Sequence, residues 1–357
     1  MITLLCRAQG GFTSILRTAR IQISKRHSHS KAINSYSKRN TKMKKIIIDV
    51  DTGVDDAVAI MFALSKQEVF DIVAITCVNG NVDITNVCRN TLRVLKTFDR
   101  LEIPVYKGAY KPFLPTSKTE HARHFHGKDG LGDVTWEGEI DTSLIQQEHA
   151  VQALIRLVNQ SPGEITLVAL APLTNVALAL QLDEKFGENL KEMLIMGGNI
   201  EGKGNVSLSA EFNFHVDPEA AEMVLQNVKC PVTLVSWETC IHSSLPWEFV
   251  HEIMTFKSTR AEFFKKIMTT ERGLERMQKK MNWGFRSCDL FAILVLFDES
   301  VCVEFKEVNA CVELQGRWTR GQMVVDWLGR WSEKPNVRIA MKLDIDKIKQ
   351  YIIDLLK

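Results

Sequence analysis

No run of 18 uninterrupted apolar residues occurs anywhere in the sequence, which excludes a membrane-spanning helix. No CxxC pair and no zinc-finger Cys–His spacing occurs among the eight cysteines. A chain of 357 residues is also far larger than disulfide scaffolds, and it buries roughly three quarters of its unfolded surface without cross-links. The cysteines therefore read as small buried hydrophobes in a reducing compartment. Acid is missing as well: no Asp or Glu precedes Asp49, and 11 of the 45 Lys/Arg fall within residues 1–48. The remaining 34 basic residues face all 43 acidic ones, so the body of the chain carries a formal charge of −9. Nucleic acids need a positive track, so an acidic body argues against them as partners.

What is present begins with that N-terminus. Residues 1–42 are rich in Ser, Thr, Arg and Lys, with apolar residues scattered among Arg7, Arg17 and Arg20. This is the composition of a mitochondrial transit peptide. Met1–Cys6 is too short for the apolar core of a secretory signal. The reading divides the chain into a basic segment over 1–43 and one domain over 44–357, located in the mitochondrion. The alternative is a disordered tail on a cytoplasmic protein, with Met43 as the start.

From Lys44 the pattern changes. Ile46-Ile47-Ile48 is a β-branched run that predicts a buried strand, followed by the loop Asp49-Val50-Asp51-Thr52-Gly53 and a helix opened by Asp55-Asp56. Ile72–Thr76, Ile165–Leu170, Leu194–Met196 and Pro231–Ser236 predict further strands. Ile84–Phe98, Val151–Val158 and Thr174–Leu182 have helical spacing, and Asp217-Pro218-Glu219 starts another helix with Asp as N-cap and Pro at its first position. Such alternation predicts an α/β fold: an open, mainly parallel sheet with helices on both faces and a Rossmann-like core. No repeat or Pro-rich linker divides it.

Ligands of open α/β sheets bind beyond the carboxyl ends of the strands. There, Asp49, Asp51, Asp55 and Asp56 put four carboxylates within eight residues, and they repel unless a cation or proton intervenes. Oxygen-only donors favour Ca²⁺ or Mg²⁺ over zinc. Acids on a first helical turn also favour the helix dipole, which suffices for Asp55 alone but not for the group. A strand followed by Asp-x-Asp also opens the haloacid-dehalogenase-like phosphatases. Those usually have Thr or Val four residues after the first Asp, where this chain has Gly53.

Asp49-Val50-Asp51-Thr52-Gly53-Val54-Asp55-Asp56-Ala57-Val58-Ala59 resembles the N-terminal signature of the inosine-uridine preferring nucleoside hydrolases. Further matches follow in order: Val78-Asn79-Gly80-Asn81, His126-Gly127 with Gly130-Leu131-Gly132, and Ala171-Pro172-Leu173-Thr174-Asn175. Met196-Gly197-Gly198, Asn205 with Glu211-Phe212-Asn213, Asp217–Ala221, and Thr319-Arg320-Gly321 before Val324-Val325-Asp326 complete the set, over about residues 44–345. The resemblance implies a Ca²⁺-dependent enzyme that cleaves the N-glycosidic bond of ribonucleosides to ribose and free base, assembled as a homodimer or homotetramer. It implies Asp51, Asp56, Asp289 and the carbonyl of Leu170 as metal ligands. Asp55, Asn81, Asn205, Glu211 and Asn213 would hold the ribose, with Met196 against the sugar and His126 in a loop over the site.

Physical chemistry agrees with those roles. Three carboxylates, a carbonyl, a water and two ribose hydroxyls supply the six to eight oxygens Ca²⁺ takes. Because Ca²⁺ acidifies water less than Zn²⁺, a carboxylate base is still needed, and Asp51 suits it. An oxocarbenium-like transition state gains from surrounding carboxylates. Glu211 and Asn213 would share one face if Glu211-Phe212-Asn213 is extended. Cys288 precedes Asp289 where the best-known members have a His linked to protonating a purine, and a subgroup of the family has this Cys. A thiol of pKa ~8.5 is mostly protonated at neutral pH but is a weaker partner than imidazolium, so Cys288 is either an acid or packing. His121 and His124 share the His126 loop, His242 and His251 are surface or core residues, and Trp283 or Phe285 is expected to stack on the base or to pack.

Two classes of function follow: a metal-dependent nucleoside N-ribohydrolase, or a catalytically silent nucleoside- or ribose-binding protein on the same fold. Intact metal and ribose positions favour the enzyme.

Overall fold

A computed structural model describes residues 43–114, 121–268, 278–279, 284–332 and 334–357. The basic N-terminal segment and Trp283 lie outside the described residues. Ile46-Ile47-Ile48 forms the middle of β1 (Lys44–Val50), and all three side chains are fully buried. Ile46 and Ile48 join one hydrophobic cluster and Ile47 the other, so the strand is covered on both faces. That double burial explains why the run shows no polar alternation.

β1 pairs in parallel with β2 (Phe70–Cys77) on one side and β5 (Ile165–Ala169) on the other. Beyond β2 lie β3 (Val105–Lys107) and β4 (Ile145–Gln146), both parallel. Beyond β5 come β6 (Glu192–Met196), β7 (Val232–Val235) and then β10 (Val337–Leu343), again all parallel. Only the far edge reverses: β8 (Cys302–Val312) runs antiparallel to β10, and β9 (Met323–Asp326) antiparallel to β8. The ten-stranded order is β4-β3-β2-β1-β5-β6-β7-β10-β8-β9. The mainly parallel α/β sheet expected from the alternation is therefore observed.

On the Ile46/Ile48 face pack α1 (Val54–Ser65) and α2 (Ile84–Thr97). The opposite face carries α3 (Ala150–Gln160), α4 (Thr174–Leu182), α5 (Phe212–Val216) and α6 (Pro218–Asn227). Three later helices, α7 (Trp237–His242), α8 (Cys288–Phe297) and α9 (Ile345–Leu356), return to the first face. Asp217 caps α6 by accepting from the Ala220 N–H, with Pro218 at the first position, as the sequence predicts. No helix among the described residues is long and apolar enough to cross a membrane.

The chain fills the sheet outward from β1 to β4 in one direction, then returns to β5 and fills it as far as β7 in the other, with the last strand, β10, inserted between β7 and β8. β1 and β5 thus flank the switch point, where the two following loops diverge and leave a crevice. Asp51 follows β1 and Leu170 follows β5.

Candidate functional site

A cavity of about 320 Å³ occupies that crevice. Asp51, Asp55, Asn81, His126, Leu170, Met196, Asn205, Glu211, Asn213, Cys288 and Asp289 all line it, drawn from loops across the chain. Asp56 is fully buried beside them. A larger cavity of about 680 Å³ lies elsewhere, lined by Arg93, Lys96, Trp136, Lys265 and Lys266 among glutamates. It includes none of the residues the sequence motifs single out, so the chemistry belongs to the smaller one.

The loop after β1 is pinned by close backbone approach. The backbone N–H and side-chain amide of Asn81 donate to Asp51 at 2.7 and 3.0 Å, and the same amide reaches Asp56 at 3.2 Å. A Cβ on Gly80 would stand 2.0 Å from Asp51 Oδ2, so only glycine allows this approach. Gly53 donates its N–H to Asp56 at 2.9 Å, and a Cβ there would meet His126 Nδ1 at 2.5 Å. His126 is buried, with Nδ1 accepting from the Val54 N–H at 3.0 Å. Burial lowers its pKa, so the neutral ring carries its proton on Nε2.

Asp49 does not share this role. Its Oδ1 accepts from Thr76 at 2.5 Å and from Asn175 at 2.8 Å, and Asn175 also donates to the Cys77 carbonyl and accepts from the Ala109 N–H. Asn175 thereby ties the ends of β1 and β2 to the segment after β3. Burial pushes Asp49 up to about 7. The sequence grouped Asp49 with the cation-binding acids; in the fold it is a buttress.

Oxygen atoms of Asp55, Asp56 and Asp289 converge within 4.8 Å of one another. Asp55 Oδ1 and Asp56 Oδ1 are buried without a hydrogen-bond partner. Burial, with Asp55 beside it, pushes Asp56 up to about 8. Asp51 is raised well above the usual carboxylate range by burial and by Asp56, and Asp289 by burial and Asp55. Orphaned, oxygen-only donors in a repelling group fit a hard divalent cation. Asp55 belongs to this triad, and Asp51, which the resemblance implied as a ligand, lines the same cavity with both oxygens accepting from Asn81.

On the opposite wall, Glu211-Phe212-Asn213 is not extended as expected. Glu211 is the N-cap of α5, accepting from the Asn213 and Phe214 N–H groups at 2.9 and 3.2 Å, and from Gly198 at 2.9 Å. Competition from these N–H donors turns the chain into helix at Phe212. Burial pushes Glu211 up to about 7. The amide of Asn213 donates to the carbonyls of Leu170 and Met196 at 2.9 and 3.1 Å, which leaves its Oδ1 as an acceptor for a hydroxyl. Met196 lies beside it and Asn205 is exposed at the rim.

Cys288 opens α8 and is buried. A hydrogen bond with the Cys240 thiol and burial push its own thiol well above the ordinary value. It therefore stays protonated and is a weak acid. Phe285 packs in the core against Trp247 and Phe264, away from the cavity lining. His124 lines the cavity, whereas His121 Nδ1 lies 2.8 Å from the Gly80 carbonyl oxygen. His242 and His251 are on the surface. Sequence reasoning did not single out Trp237, Arg286 or Phe125, which also line the cavity. Trp237 directly follows Ser236 at the carboxyl end of β7, a position the sheet rule points to.

Fold and site together define a class: an α/β protein with a cavity lined by carboxylates and amides at the switch point of a parallel sheet. The model of the inosine-uridine preferring nucleoside hydrolases matches residues 46–350, and the chain belongs to this family of N-glycosyl hydrolases. An inosine-uridine preferring nucleoside hydrolase of Leishmania major is 35% identical over 317 residues, covering 88% of this chain and 98% of that protein. A probable uridine nucleosidase 2 of Arabidopsis thaliana is 33% identical, with 88% and 97% covered. Among solved structures, an inosine-guanosine nucleoside hydrolase superposes with a TM-score of 0.79 at 33% identity, covering 88% of this chain and 99% of its own.

Proposed function

We propose that this protein hydrolyses ribonucleosides to ribose and free base with Ca²⁺ as its cofactor. The observation that carries the reading is the convergence of acids from three chain regions on one cavity, with two carboxylate oxygens buried and unpartnered. Asp55, Asp56 and Asp289, with the Leu170 carbonyl and Asp51, would hold the cation. When bound, Ca²⁺ supplies positive charge that acidifies a water and orients the ribose diol.

The chain's own residues do the rest. Asp51, oriented by two hydrogen bonds from Asn81, takes the proton of the attacking water. Asp55, Asn81, Asn205, Glu211 and Asn213 hold ribose hydroxyls, and Met196 packs against the sugar. Carboxylates around the ring stabilise the positive charge that develops as the glycosidic bond breaks. His126, neutral with Nε2–H, is a donor over the site. Cys288 stays neutral beside the base. A homodimer or homotetramer in the mitochondrion, imported through residues 1–43 ahead of a single catalytic domain over 44–357, completes the proposal. Chromatography of the products from a panel of nucleosides tests it: ribose and free base should appear together. Binding without bond cleavage would favour the silent ribose-binding reading.

A further inference from the structure

Four carboxylates line the cavity, Asp51, Asp55, Glu211 and Asp289, against one guanidinium. Arg286 is the only Lys or Arg among the described residues that line it. Its guanidinium stacks on the Trp237 ring, 4.6 Å from the centroid. Of five N–H donors, Nη1 makes one long hydrogen bond to the Gly284 carbonyl at 3.4 Å, and Nε is buried without a partner. No ion pair joins Arg286 to an acid among the described residues. A guanidinium resting over an aromatic ring beside a ligand cavity, with most of its donors unspent, is poised for an acceptor that the described residues do not supply.

The nucleoside supplies one. Ribose hydroxyls suit the carboxylates and amides of the acidic wall, whereas the base carries carbonyl oxygens and ring nitrogens. As the glycosidic bond breaks, the base gains negative charge, and a fixed cation beside it stabilises that charge. Arg has donors only, so it pairs with a base carbonyl but not with an exocyclic amine. A 6-oxopurine offers O6 and N7 side by side, the pair an arginine fork grips; adenine replaces O6 with an amine. Uracil and cytosine differ in the same way at position 4.

Resting on the hydrolase reading, we propose that Arg286, held on Trp237, selects oxo-bases over amino-bases and stabilises the departing base, a task for which the Cys288 thiol is poorly suited. The discrimination operates within each ring size: inosine over adenosine, uridine over cytidine. A site built to donate rejects the analogue without the acceptor because buried donors are left unpaired.

The test is kcat/KM of the calcium-loaded full chain for those four nucleosides, in wild type, Arg286→Met and Arg286→Lys. Wild type should prefer the oxo-base in both pairs. Arg286→Met should lose about ten- to a hundredfold on inosine and uridine and far less on adenosine and cytidine, so both ratios fall toward one. Arg286→Lys, which keeps charge but not the fork, should retain part of the preference and remains informative if the Met variant folds poorly. An equal loss on all four substrates would overturn the assignment, as would a wild type that prefers adenosine. Release of nitrophenolate from p-nitrophenyl riboside, which has no base to recognise, reports the hydrolase reading separately. A wild type active on that riboside with unchanged ratios in Arg286→Met overturns the Arg286 role alone, whereas a wild type inert on every substrate overturns both.

Discussion

Calcium binding should be tightly linked to pH, because the fold pushes Asp51, Asp56 and Asp289, three of the acids that would hold it, above the ordinary carboxylate range. In the metal-free protein Asp56 is pushed up to about 8, and Asp51 and Asp289 lie well above their ordinary range. Below about pH 8 a cation must therefore displace at least one proton, and each displaced proton makes apparent affinity rise about tenfold per pH unit. Between roughly pH 6 and 8 the Kd should fall about a hundredfold for one proton, and further if Asp51 or Asp289 also releases one. Stability of the metal-free fold runs the other way. Carboxyls whose folded pKa is raised keep protons that the unfolded chain has lost, so stability declines as pH climbs from about 4 toward 8. Calcium at a hundredfold excess over Kd restores about 2.7 kcal/mol, roughly 4 °C in melting temperature for a domain of this size. Calorimetric titration in two buffers of different ionisation enthalpy measures both Kd and proton release. A Kd unchanged across that range, with no proton released, would refute the reasoning, as would a melting temperature indifferent to calcium and chelator.

Other outcomes follow from the same geometry. Asp51→Asn should lower kcat at least ~10²-fold while circular dichroism stays native, and an unchanged kcat would remove Asp51 as the base. Cys288→Ser, nearly isosteric but a poor acid, should keep near-wild-type turnover if the thiol only packs; a large loss would mean that it is chemically engaged. Cys288→His should raise inosine hydrolysis more than uridine hydrolysis, since an acid at this position is worth up to ~10²–10⁴-fold and purines gain most from it. A fluorescent fusion of residues 1–45 should reach mitochondria, and diffuse cytosolic fluorescence would favour a start at Met43.

Much of this site was legible because its signals are local. Ile46-Ile47-Ile48 is buried on both faces and shows it as an unbroken β-branched run. The acids and glycines after it sit where a parallel strand must end, and Asp217-Pro218 states its own cap. What stayed hidden depends on distant partners. Asp49 and Asp51 look alike in sequence, yet Thr76 and Asn175 turn one of them into a buttress. Glu211 is equally polar in a strand or at an N-cap, and Gly198, thirteen residues earlier, helps decide between them. Trp237 and Arg286 meet only when α7 and the approach to α8 fold onto one cavity. Spacing carries no trace of that contact. The antiparallel pairing of β8 with β10 likewise joins residues more than twenty positions apart, such as Val308 with Val337.

The central claim is that the converging carboxylates bind calcium in order to cleave nucleosides. Its most direct test is reducing-sugar release from a nucleoside panel by the purified protein, first after chelation and then after calcium is restored. The account predicts that release stops with the chelator and returns with calcium, with free base appearing in equal amount. Sugar release that persists undiminished under chelation, or no release from any nucleoside with calcium present, would contradict it.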